Sequence, residues 1–74
     1  MENLENLPVA FGKIVRKKRK FQELQQAALA DLAGIDRSYM GMIERGETSI
    51  TLEKVYKLAR ALECDVAELL PFAR

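Results

Sequence analysis

The sequence contains no histidine and no tryptophan, and only one cysteine, two prolines and four glycines among its 74 residues. Each shortage closes off a class of protein. With no histidine and a lone Cys64, a zinc finger or other Cys/His metal site cannot be assembled, and no cofactor is expected. Cys64 cannot form an internal disulfide, and its apolar neighbours Leu62 and Val66 favour a buried thiol over a reactive one. No apolar run approaches the roughly 20 residues that cross a bilayer, so no membrane partner is expected. The opening MENLENLP is acidic where a signal or transit peptide carries positive charge, which leads us to expect a cytoplasmic protein. There is no nucleophile motif, no glycine-rich phosphate loop and too little chain to enclose a substrate, so an enzyme is not expected. A chain of this length allows one domain with a modest core and leaves no room for a separate effector-sensing domain, so no small-molecule effector is expected.

What is present is the mixture of a compact domain, with about half of the residues apolar and nearly a third charged. The net charge is only +1, but it is unevenly spread. Lys13, Arg16, Lys17, Lys18, Arg19 and Lys20 form a basic run, whereas Glu2, Glu5, Glu63, Asp65 and Glu68 make both ends acidic. Such polarity suits a molecule with one face on a polyanion. A solvated helix face explains the run equally well.

Helix signals fill the chain. Asn6 offers a capping oxygen and Pro8 a preset φ at the start of a first helix, which should run to about Phe21 with Phe11, Val15 and Ile14 inward. A second helix is expected from about Gln25 to Leu32, stopped by Gly34 in the left-handed region. Asp36 caps a third, Arg37 to about Glu44, and Gly46 ends it. Thr51 caps a fourth whose Leu52, Val55, Leu58, Ala59 and Leu62 follow the helical period, and Asp65 a short fifth ending before Pro71. No segment reads as a strand, which makes the fold class all-α.

The informative block is QAALADLAGIDRSYMGMIER, Gln26 to Arg45. Two helices that cross steeply over a short turn need a small residue where they touch, which Ala30 supplies, and a positive φ where the backbone reverses, which Gly34 supplies four residues later. Leu29, Ala33, Ile35, Met40 and Ile43 then face inward. The outer side of the third helix carries Arg37, Ser38, Gly41 and Met42, a face with little bulk that suits a groove about 12 Å wide and makes these four the candidate base contacts. Arg37 can fork onto guanine or stop at a phosphate, and Met42 can meet a thymine methyl or stay simply exposed.

From FGKIVRKKR through LQQAALADLAGIDRSYMGMIERGE to TLEKVYKLARALECDVAELL, the chain resembles the Cro/cI-type, XRE-like helix-turn-helix family, the group of small phage repressors and restriction-modification controller proteins. The resemblance implies a five-helix lambda-repressor-like bundle that binds double-stranded DNA with two-fold symmetry as a homodimer. It implies a structural ion pair at Arg19 and Glu44. It also implies DNA-backbone contacts at Gln25, Gln26, Tyr39, Arg45, Thr48 and Ser49, although the Tyr39 ring can equally pack on the domain. The chain departs from the family at Gln25, where a serine cap is common, and at Glu23 and Glu63, where glycines are common.

The reading that follows is a transcription regulator on an operator. The alternative is an antitoxin or adaptor that uses the same fold mainly to hold another protein. Val66, Leu69, Leu70 and Phe72 are more apolar than so small a monomer needs and are the expected dimer surface, unless Leu69 and Phe72 only close the core.

Overall fold

The computed structural model describes residues 6–72, so Glu2 and Glu5 of the acidic ends lie outside the described residues. Four α-helices follow one another: α1 (Leu7–Phe21), α2 (Gln26–Ala33), α3 (Arg37–Arg45) and α4 (Leu52–Ala61). Among the described residues, a 3₁₀ turn, Val66–Leu69, follows α4 where a fifth helix was expected. The reason lies two residues on. Pro71 has no N–H to extend a helix and holds Leu70 in an extended conformation, φ −88° and ψ 117°.

Side-chain caps start two of the four α-helices. The Asp36 carboxylate accepts the Tyr39 N–H at 3.1 Å, and the Thr51 hydroxyl oxygen accepts the Lys54 N–H at 3.2 Å. Asn6 behaves otherwise: its φ of −96° and ψ of 5° depart from the extended geometry that aims a capping side chain, and it makes no capping bond. Pro8 in the first turn needs no N–H partner there. Gln25 likewise makes no side-chain cap for α2.

All four helix ends share one design. In each, a residue one position (Gly34, Gly46) or two positions (Glu23, Glu63) past the helix takes a positive φ, and the following N–H reaches back to a carbonyl five residues earlier: Leu24 to Arg19, Ile35 to Ala30, Glu47 to Met42 and Cys64 to Ala59, at 2.9–3.1 Å. Glycine occupies the left-handed position twice, at Gly34 and Gly46, and glutamate twice, at Glu23 (φ 58°) and Glu63 (φ 55°).

The core gathers one stripe from each helix. Val15, Leu29, Met40, Ile43, Leu58, Leu62 and Leu69 are its largest fully buried side chains. α1 contributes Phe11, Gly12, Val15 and Arg19, spaced to share one face, and packs chiefly on α3. Gly12 allows near backbone-to-backbone contact, since a Cβ there would lie 2.7 Å from the Glu44 carbonyl oxygen. Two expectations are corrected here. Leu69, expected on a dimer surface, is fully buried, because the last turn packs against α1 and α4 and Leu69 is its one fully buried side chain. Leu52, expected in the α4 stripe, is 70% exposed, and the buried stripe starts one turn later at Val55.

One charged pair lies inside. Arg19 Nε and Nη2 donate to the two Glu44 carboxylate oxygens at 2.7 and 2.9 Å, Arg19 Nη1 donates to the Leu24 carbonyl at 2.9 Å, and Gln26 Nε2 donates to Glu44 at 3.1 Å. The pair implied by the family resemblance is therefore present. Its hydrogen bonds with Glu44 hold the Arg19 guanidinium pKa above the ordinary value against the opposing effect of burial. Among the described residues no buried side-chain nitrogen or oxygen lacks a partner.

The two glutamates in left-handed geometry generate a prediction. A residue with a Cβ costs about 1–2 kcal/mol there, partly offset on substitution because glycine loses more chain entropy on folding. Glu23→Gly and Glu63→Gly should each stabilise the fold by about 0.5–1 kcal/mol, raising Tm by several degrees in a thermal melt. A lower Tm for both would contradict the assignment of strain to these positions.

Candidate nucleic-acid interface

α3 is fixed from three sides and free on the fourth. Met40 and Ile43 are locked in the core, Glu44 is bound by Arg19, and Asp36 caps the first turn. On the free side Arg37, Ser38, Met42 and Arg45 are exposed. Capping by Asp36 leaves the Arg37 and Ser38 N–H groups at the helix start without intrahelical partners, where the helix dipole favours an anion.

Gly41 departs from expectation. It was expected on the outer surface but is buried, because Arg45 and Gln26 lie across it: a Cβ there would stand 3.0 Å from Arg45 Nη1 and 3.4 Å from Gln26 Oε1. Its role is that of a gap into which the two longer side chains settle.

The remaining candidates surround this face. Gln25 is exposed at the start of α2, and Gln26 is half-buried with one amide N–H given to Glu44. Tyr39 is half-buried against the core, its hydroxyl donates to the Ser49 carbonyl at 3.1 Å, and the Lys54 ammonium stands 5.3 Å from its ring centre. The Thr48 hydroxyl donates to the same carbonyl at 3.2 Å. Tyr39 thus straps the loop after α3, Gly46 to Ser49, onto the domain. Gly46 itself seats against α1, where a Cβ would lie 2.6 Å from the Val9 Cα.

Two acidic partners were invisible in the sequence. Asp31 on α2 accepts from Arg37 Nη2 at 2.8 Å and Nε at 3.3 Å, and Glu47 accepts from Arg45 Nε at 2.9 Å. Hydrogen bonding to the arginines holds both carboxyls below their ordinary pKa. Both pairs are solvent-exposed, and such pairs contribute little to stability. The spacing of six between Asp31 and Arg37 matches no helical neighbour rule, because a turn intervenes.

The basic run of α1 divides. Arg19 is buried and Lys18 pairs with Glu68 at 2.8 Å, while Lys13, Arg16, Lys17 and Lys20 form an exposed stripe. Of the expected dimer residues, Val66 is half-buried, and Leu70 and Phe72 are each 40% exposed. Cys64 is partly buried, which pushes its thiol pKa up and away from a reactive thiolate. Among the described residues no cluster of His, Cys, Asp and Glu can hold a metal, and no helix is long and apolar enough to cross a membrane.

Known proteins are similar to this chain in sequence and fold. The helix-turn-helix family model matches residues 15–69. Control protein C.SmaI of Serratia marcescens is 41% identical over 56 residues, spanning 76% of this chain and 67% of that protein. The crystal structure of the restriction-modification controller protein C.AhdI from Aeromonas hydrophila is similar with a TM-score of 0.83 and 43% identity, over 85% of this chain and 96% of that one. The P22 c2 repressor, solved in complex with a synthetic operator, has a TM-score of 0.75 and 33% identity, over 81% of this chain and 91% of that one. Family match, relatives and fold agree, and the chain belongs to the XRE-like helix-turn-helix family of transcription regulators.

Proposed function

We propose that this protein binds a two-fold-symmetric operator as a homodimer, with α3 in the major groove, and regulates transcription in the manner of a restriction-modification controller. The observation that carries the reading is the outer side of α3, where Arg37, Ser38, Met42 and Arg45 project from a helix whose other sides are fixed. The likeness to controller proteins, and to a repressor solved on its operator, supports it.

Arg37 and Ser38, at the leading end, carry most of the base readout, and Met42 adds contact with a thymine methyl one turn on. Gly41 lies too deep to touch a base, so it acts as the gap already described. Backbone contacts come from Arg45, Gln25, the second amide N–H of Gln26, and the N–H groups of the Thr48–Ser49 loop. Phosphate offers only acceptors, and the Tyr39 hydroxyl hydrogen is already given to Ser49, so Tyr39 positions that loop. Selection of bound sequences from random duplex DNA tests this. An enriched palindrome is expected. Arg37→Ala should relax one symmetric pair of positions by about 1–3 kcal/mol, while Arg45→Ala should weaken all sequences alike and reduce the salt slope by about one. No enrichment would contradict operator binding and return the adaptor reading.

The dimer surface is best drawn around Leu52, Tyr56, Leu70 and Phe72, which are 40–70% exposed. Leu52 and Tyr56 lie one turn apart on α4, and Leu52 and Leu70 line one surface hollow. Such exposed apolar area on a small domain marks a contact surface. Glutamate is tolerated in the first turn of a helix, so Leu52→Glu should yield a folded monomer by sedimentation with weakened binding to the palindrome. A monomeric parent, or an unchanged dimer in the variant, would contradict this surface.

A further inference from the structure

Among the described residues, the Asp31–Arg37 ion pair is the only one that joins α2 to α3. It stands on the exposed side, with the two side chains 60% and 67% accessible, at the end of α3 that leads. The geometry is specific. Asp31 accepts from Nε and Nη2 through separate oxygens, the side-on edge of the guanidinium. A guanidinium carries five N–H groups in one plane, so the end-on edge, one N–H from each of Nη1 and Nη2, remains open. That edge can fork onto guanine N7 and O6.

We propose that Asp31 is a positioning residue for sequence readout: it grips the side-on edge of Arg37 so that the end-on edge is presented, in a fixed plane, to a guanine. This rests on the operator-binding reading above. An arginine has a long side chain with many rotamers, and ordering it on the DNA opposes binding. Asp31 is anchored on α2 and restricts that freedom beforehand. Arg37 in turn holds the Asp31 carboxyl below the ordinary carboxylate range, so the pair is charged at neutral pH. The contrast within the interface is Arg45, whose partner Glu47 accepts a single N–H and so does not grip an edge of the guanidinium. A carboxylate beside this surface also repels phosphates, so Asp31 weakens binding to every duplex while sharpening the choice among them.

Asp31→Asn keeps the shape but removes the charge and one of the two acceptors. The measurement is equilibrium binding of the parent, Asp31→Asn, Arg37→Ala and the double variant. The duplexes are the selected operator, single-base variants of it and a random duplex at one salt concentration. Asp31→Asn should lower discrimination by about tenfold at the positions that Arg37→Ala identifies and leave other positions unchanged. It should tighten binding to random duplex by about two- to fivefold. In the Arg37→Ala background it should change overall affinity alone. Equal tightening on every duplex, with discrimination intact, would overturn the assignment and make Asp31 a plain repulsive charge. Reduced discrimination that persists without Arg37 would overturn it too. A parent that binds all duplexes alike is a separate outcome, which removes the operator-binding reading itself and this assignment with it.

Discussion

The buried contact between Arg19 and Glu44 organises the molecule. It joins the end of α1 to the end of α3, and its spare capacity is filled from two other places, the Leu24 carbonyl before α2 and the Gln26 amide at the start of α2. A charged pair inside a small domain is tolerable only when its hydrogen-bonding capacity is filled. The closeness of α1 and α3 at Gly12 follows from the same alignment, since the Glu44 carbonyl lies against that glycine. Glu44 directly precedes Arg45, so the contact that fixes the helix also fixes the start of the exposed loop.

With that frame in place, the left-handed turns do the rest. Each helix stops where the next must begin, and the stop between α2 and α3 aims Asp36 at the first turn of α3. Ala30, fully buried, leaves room for the two helices to cross. What remains outside the bundle is a strip of α3 and its flanks with two arginines, each already in contact with a carboxylate of its own chain. On the operator-binding reading proposed above, DNA would compete with, or be added to, existing ion pairs. This restrains non-specific attraction in a molecule whose net charge is only +1.

Local chemistry was legible in the sequence and distant geometry was not. Asp36, Thr51, Gly34 and Gly46 act through neighbours within a few residues, and each marks the boundary it was read to mark. Glu23 and Glu63 gave no such signal by residue type, because glutamate rarely takes a positive φ, and only likeness to a family with glycines there pointed to it. Leu52 and Leu69 show the limit of periodicity. Leu52 fits the apolar stripe of α4 and Leu69 was expected at a dimer surface, but which of them finds a neighbour within the domain depends on where α4 is covered and how the last turn folds back. Gly41 fell on the outer arc of α3 by the same count and was covered by Arg45 and Gln26. Asp31 meets Arg37 across a turn, where no spacing rule applies.

The most direct test of the central contact compares Arg19→Met with the double variant Arg19→Met/Glu44→Leu in denaturant unfolding. If Arg19 and Glu44 depend on each other inside the fold, the single change strands a buried carboxylate at about 3–5 kcal/mol, and removing that carboxylate as well recovers at least about 2 kcal/mol. The double variant should then be more stable than the single one. A double variant less stable than the single would mean that the two residues contribute independently, and the contact would not be what holds α3 in place.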